Sequence, residues 1–304
     1  MKLIDSITVK NLSKSYGEKQ VLRGVSFSVK HGEVFSLLGV NGAGKTTTIE
    51  CLEGLRKWQE GEIVVEGISV RQHPEKLRKV LGVQLQSTAL SENMTAKEAM
   101  RLFCVWHGVK YRGDLLTRFD MDGEYLNKPY AKLSTGRKRR LHLALALCHN
   151  PRVLVLDEPT AGLDVEGRNT LHREICRLRD EGVTILMATH DMAEAEALSD
   201  RIAILRDGVI AREGTPMELT AASNIQNRVY IKTRGGSLRE NTPEALGMPE
   251  TTMEGYSVWK CRDAAELLLL ILPHIKACDD IVSDLRIERA SVEDIFLSVA
   301  GGAK

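Results

Sequence analysis

The sequence predicts an α/β protein with a largely parallel sheet, and three observations carry that prediction. The stretch Gly39-Val40-Asn41-Gly42-Ala43-Gly44-Lys45-Thr46-Thr47 reads G-x-x-x-x-G-K-T. It lies between the apolar run 34–38 and a segment, 47–52, that can continue as a helix. Residues 153–156 and 183–188 are continuous apolar runs, as expected of strands buried on both faces of a parallel sheet, and 167–181 between them reads as a helix.

The order strand, glycine-rich loop, helix start is what a phosphate-binding loop requires. Gly39, Gly42 and Gly44 let the backbone curl until its N–H groups converge on phosphates, and the following helix adds a positive dipole end. Lys45 can reach β- and γ-phosphates, and the Thr46 hydroxyl can ligate magnesium. Asn41, Ala43 and Thr47 complete the stretch around the phosphates.

Bulk composition narrows the class. With 304 residues, 43% hydrophobic and 27% charged, the chain has the make-up of a globular protein of two domains, or of one with an appendage. A net charge of +1 makes no case for a nucleic-acid partner. The longest apolar run, 267–272, is too short to span a bilayer, and the N-terminus lacks a signal-peptide core, so a cytosolic chain is expected. The six cysteines form no C-x-x-C pair and read as reduced, mostly buried thiols, neither a disulfide framework nor a zinc site.

Along the chain, Ile7 and Val9, then Val25, Phe27 and Val29, alternate with polar residues and predict half-buried antiparallel strands. Tyr16, just before a turn at Gly17, is either a strand-end aromatic packed on the sheet or a ring that stacks on a base, and the residues alone favour packing. A short strand from Leu81 ends at Gln86, whose amide can touch magnesium or an attacking water, although a lone glutamine at a strand end is usually solvated. Residues 87–149 change character to a helical insertion. Thr95 and Glu98 form a capping-box pattern before apolar positions at Ala99, Met100, Phe103, Val105 and Trp106, and a further helix is expected over 123–130. Ser134 and Gly136 open a long helix, an anion-binding position, where the basic run 137–140 opposes the dipole and needs an anion or acidic neighbours; taken alone it reads as a solvated turn.

The run 153–156 empties into Asp157-Glu158-Pro159. A carboxylate leaving a strand beside a phosphate loop is placed to hold magnesium, and Glu158 to polarise a water as general base. Asp164 follows in a loop, and His190 leaves its strand on the same rim, where a contact to a γ-phosphate is favoured. Beyond about residue 220 the pattern turns to a small α+β appendage, with strands near 229–232 and 254–260, a helix capped by Asp263, and a second capping box at Ser291 and Asp294.

This ordered set resembles the ATP-binding subunit of an ABC transporter: the phosphate loop, Gln86, L-S-x-G before a basic helix, D-E-P, G-L-D and T-H-D. The resemblance covers about residues 7–214. It implies a P-loop NTPase cassette with a RecA-like core, an antiparallel β subdomain and a helical subdomain at about 87–149, in domain 1–220, with 221–304 an accessory or dimerisation piece. It implies Tyr16 as the adenine-stacking residue, Lys45 and Thr46 as Walker A contacts, and Gln86 as the Q-loop. Ser134 and Gly136 become the signature, Asp157 and Glu158 Walker B, Asp164 the D-loop acid and His190 the switch histidine. Thr46, Gln86 and Asp157 would meet the metal. The signature departs from L-S-G-G-Q, with Thr135 and Arg137 at its third and fifth positions, which puts the turnover rate in question. The implied cofactors are ATP and Mg2+. The implied partners are a second copy or related ATPase and an integral membrane permease on a separate chain, with the protein peripheral on the cytoplasmic face. The tail 290–297 resembles ABC ATPases of the drug- and antibiotic-export branch. A soluble ABC ATPase acting on ribosomes or nucleic acid is the alternative.

Overall fold

Alternation and apolar runs become strands in the expected places. The computed structural model describes residues 5–84, 90–221, 227–240, 247–251, 254–289 and 291–301. The chain opens with β1 (Ile7–Tyr16) and β2 (Lys19–Val29), a hairpin, followed by β3 (Val34–Leu38) and α1 (Lys45–Leu52). Next come β4 (Glu60–Val65), β5 (Ile68–Ser69), α2 (Pro74–Leu77) and β6 (Leu81–Gln84). The insertion contributes α3 (Ala96–His107), α4 (Gly113–Arg118) and α5 (Thr135–Ala146). The chain then alternates through β7 (Val153–Asp157), α6 (Val165–Asp180), β8 (Thr184–Thr189) and α7 (Met192–Leu198), and closes with β9 (Arg201–Arg206) and β10 (Val209–Gly214).

Two sheets organise this part. One is antiparallel, in the order β2-β1-β4-β5, with Ile7 opposite Val29 and Val9 opposite Phe27. The other runs β10-β9-β3-β8-β7-β6; every pairing is parallel except that of β9 with β10. All residues of β3, β7 and β8 are buried, which is why their sequences are continuous rather than alternating. Phe27, Phe35, Ile49, Val155 and Leu205 share the core beneath the phosphate loop. Met100, Leu116, Leu143, Leu154 and Met187 share the core that joins the helical insertion to the other face of the sheet. The C-terminal ends of β3, β7 and β8 therefore reach one rim, the usual place for a ligand in such a sheet.

Compactness divides the chain into Met1–Pro216 and Met217–Lys304. The second unit contains α8 (Pro216–Ala221) almost entirely, then β11 (Asn227–Thr233), α9 (Ser237–Glu240), β12 (Glu250–Thr251), β13 (Ser257–Cys261), α10 (Ala264–Ala277), β14 (Val282–Glu288) and α11 (Val292–Gly301). Its sheet runs β12-β13-β11-β14, all antiparallel. Val229, Ile231, Trp259, Leu267, Ile271 and Ile275 pack between this sheet and α10. Asp263 Oδ1 accepts from the N–H of Ala265, and Ser291 and Asp294 form the reciprocal cap before α11.

Three expectations are revised. The helix expected over 123–130 is two short 3-10 segments, Gly123–Asn127 and Tyr130–Lys132. Pro129 breaks it: the preceding Lys128 is extended, at ψ 132°, as the proline ring requires. In α3 the buried face is Ala96, Ala99, Met100 and Cys104, which leaves Val105 and Trp106 pointing outward, 78% and 70% exposed. The cysteines are only half buried as a set: Cys51, Cys104 and Cys148 are buried, while Cys278 is exposed.

Candidate active site

β3 delivers the chain into the phosphate loop under tight steric limits. A Cβ on Gly39 would stand 2.6 Å from the Leu205 carbonyl oxygen, and Gly44 takes φ +109°, which L side chains rarely adopt. Gly44 is the N-cap of α1 and supplies no side-chain cap, so the first N–H groups of α1 are left for an anion. The loop borders a cavity of about 310 Å³ lined by Lys19, Val21, Asn41, Gly42, Gly44, Lys45, Thr46, Thr47, Glu158 and His190. The Lys45 ammonium donates to the Gly39 carbonyl at 2.7 Å and lies 3.7 Å from Glu158 Oε1. Burial pulls its pKa down, opposed by the charges of Glu158 and Asp157. Ala43 is buried and braces the loop from below.

The acids arrive on β7. Thr46 Oγ1 donates to Asp157 Oδ2 at 3.3 Å, while the buried Asp157 Oδ1 has no partner among the described residues. Burial pushes the Asp157 carboxyl above its ordinary value. An orphaned carboxylate oxygen beside a threonine hydroxyl is a hard-donor pair that fits a small divalent cation. Glu158 sits at φ +48°, its N–H bonded to Ala188 O at 2.9 Å, and its Oε2 is 2.7 Å from His190 Nδ1. A glutamate held in this sparsely populated region costs about 1–3 kcal/mol, and such strain gathers at working sites.

A second cavity, of about 670 Å³, collects the remaining motif residues. Ser134, Gly136 and Asp164 line it together with Asp120, Arg137 and Arg173, among others. Ser134 caps α5 by accepting from the Arg137 N–H at 3.4 Å, and Asp164 caps α6 by accepting from the Gly167 N–H at 2.8 Å. The two cavities share no lining residue. The basic run is not a solvated turn. Arg137 stacks 3.3 Å from the Tyr125 ring centroid and donates to the Asp120 carbonyl, Arg140 pairs with the Asp120 carboxylate at 2.6 Å, and Arg139 is buried. The acidic neighbour demanded by the helix dipole is therefore Asp120, on the turn after α4.

Of the described residues expected at the site, Gly39, Ala43, Asp157 and Tyr16 line neither cavity. Tyr16 is 42% exposed on the hairpin, opposite Lys19, with the Lys14 ammonium 4.7 Å from its ring centroid; it lines neither cavity. Gln86 lies outside the described residues. Lys19 and Val21 line the phosphate cavity without any motif to announce them; only the hairpin register with Tyr16 could have pointed to Lys19.

With this geometry in place, comparisons with known proteins agree on one family. The ABC transporter family model matches residues 22–161. The daunorubicin resistance ATP-binding protein DrrA3 of Streptomyces coeruleorubidus is 31% identical over 304 residues, covering 97% of this chain and 96% of its own. The spermidine/putrescine import ATP-binding protein PotA of Thermotoga maritima is 36% identical over 220 residues, 70% of this chain and 59% of its own. Among solved structures, a dimeric ATP-binding cassette in a post-hydrolysis state with ADP and phosphate superposes with a TM-score of 0.64 at 28% identity, covering 69% of this chain and 98% of that one. The chain belongs to the ABC transporter family as an ATP-binding subunit, a P-loop ATPase.

Proposed function

We propose that this chain is the motor of an exporter, and that two copies close on two ATP molecules so that the phosphate loop of one meets the Ser134 cavity of the other. The observation that carries the reading is the separation of two half-sites on one chain: the phosphate loop with Glu158 and His190 in one cavity, Ser134, Gly136 and Asp164 in another. In this reading the α1 N-terminus and Lys45 bind the β- and γ-phosphates. Thr46 and Asp157 hold Mg2+, which when bound would neutralise developing phosphate charge. Glu158 takes the proton of the attacking water, and His190, hydrogen-bonded to Oε2, orients that carboxylate. Ser134 and Gly136 present the opposite face of the triphosphate with the α5 N-terminus. Tyr16 and Gln86 keep their implied contacts to base and water as part of the same proposal.

No helix among the described residues is long and apolar enough to cross a membrane. A permease on another chain, met at the cytoplasmic face, supplies the path. The groove beside β6 and α3, about 310 Å³ and lined by Leu55, Leu77, Phe103, Trp106 and Leu145, suits its docking helix. Export rests on the resemblance of the tail and on the full-length similarity to a resistance protein. The test is ATP turnover by the purified chain. Glu158→Gln is expected to lower it by about 10²–10⁴-fold with ATP binding retained, and Lys45→Ala to weaken ATP binding itself. Undiminished turnover in the first, or unchanged affinity in the second, would overturn these roles. Capture of ATP-trapped Glu158→Gln protein from membranes should bring down an integral membrane protein; ribosomal RNA in its place would support the ribosomal alternative.

A further inference from the structure

At the back edge of the groove, the end of α3 meets the residues that follow α5. His107, Cys148 and His149, far apart or adjacent in sequence only by pairs, bring ligand atoms within 4.8 Å of one another. The two imidazole rings stack at 3.9 Å with parallel planes. His149 Nε2 lies 3.2 Å from the Leu81 carbonyl oxygen, which can only accept, so Nε2 carries the proton. That leaves the His149 Nδ1 lone pair facing Cys148 Sγ at 3.9 Å, where it accepts from the thiol. A histidine whose far N–H is held by a carbonyl has the arrangement that orients metal-ligating imidazoles. Both histidines line the open groove, which gives an ion a way in.

We propose that His107, Cys148 and His149 form a binding site for a borderline-soft divalent cation of the zinc class, with a groove water as fourth ligand. Two imidazoles and a thiolate select such an ion over Mg2+. Stacked parallel rings cannot both aim a lone pair at one ion, so loading turns the His107 ring. No hydrogen bond among the described residues holds that ring, which is only partly buried, at the last position of α3 before Gly108, so turning it costs its stacking on His149 alone. The ion then ties the end of α3 to the end of α5 through three side chains. A metal takes the thiolate, so binding releases the thiol proton to solvent. This site is separate from the nucleotide cavity and stands whether or not the exporter reading does.

Cobalt titration of the metal-free full-length chain, without nucleotide, tests it. The expected result is one Co2+ per chain, with a thiolate-to-cobalt charge-transfer band and the visible spectrum of a tetrahedral ion, both displaced by one Zn2+. Cys148→Ser should abolish the charge-transfer band, and the half-exposed His107→Ala, which leaves the core intact, should weaken Co2+ by at least about tenfold. The exposed Cys278→Ser should change nothing. Absence of the band in the native chain, unchanged affinity in His107→Ala, or a band lost with Cys278 would each overturn the site.

Discussion

Glu158 joins three constraints in one residue: a positive φ, a carbonyl partner on β8 and a 2.7 Å contact to His190. Its backbone strain persists because buried β7 fixes the preceding Asp157 and buried β8 holds the Glu158 N–H. Another buried group makes stability depend on pH. His142 is buried against Tyr130, whose hydroxyl is 3.0 Å from Nε2, and burial followed by the charges of Arg139 and Lys138 lowers its pKa from 6.5 to about 4. Below pH 6.5 an unfolded chain takes up a proton that the folded chain refuses, so the stability present above 6.5 is lost as pH falls toward 4. Urea unfolding should show that loss, with His142 supplying up to about 3 kcal/mol of it. In His142→Gln the slope between pH 6.5 and 4 should be shallower, and an unchanged slope would refute the assignment. The sequence made the positions of Lys45, Asp157 and Glu158 legible because Lys45 opens the helix after the glycine-rich loop and the two acids lie where an apolar strand runs out. It hid the burial of Arg139, because a run of four basic residues carries no sign of which side chain turns inward.

At the scale of elements, the strands were legible wherever burial imposes a pattern: alternation in β1 and β2, continuous apolar runs in β7 and β8. Helix starts were legible from caps. Thr95 and Glu98 make both reciprocal bonds, with the Thr95 N–H donating to Glu98 Oε2 at 2.9 Å. Thr95→Ala is expected to cost about 1 kcal/mol, seen as a lower thermal midpoint with ATP affinity unchanged; an unshifted midpoint would show the cap to be idle. What failed was local chemistry competing with a pattern. Pro129 cut the expected helix into two 3-10 turns, and the α3 register left Trp106 in solvent although it continues an apolar stretch. Contacts between distant segments left no mark either: His107 and His149 stack because α3 and α5 pack side by side, which no spacing announces.

For the whole molecule, the division at Pro216 and Met217 separates two units with their own cores. Limited proteolysis should cut first between them and release an N-terminal fragment that still binds ATP; a fragment that loses binding would place part of the nucleotide site beyond residue 216. In the proposed function one chain carries two incomplete half-sites, and ATP joins two copies by completing them. Light scattering of Glu158→Gln protein with and without ATP, alone and with Gly136→Asp added, tests it most directly. The expected result is a monomer without ATP, twice that mass with ATP, and a monomer again in the double variant, which should still bind ATP through its own phosphate loop. A Glu158→Gln chain that stays monomeric at saturating ATP, or a double variant that dimerises equally well, would contradict it.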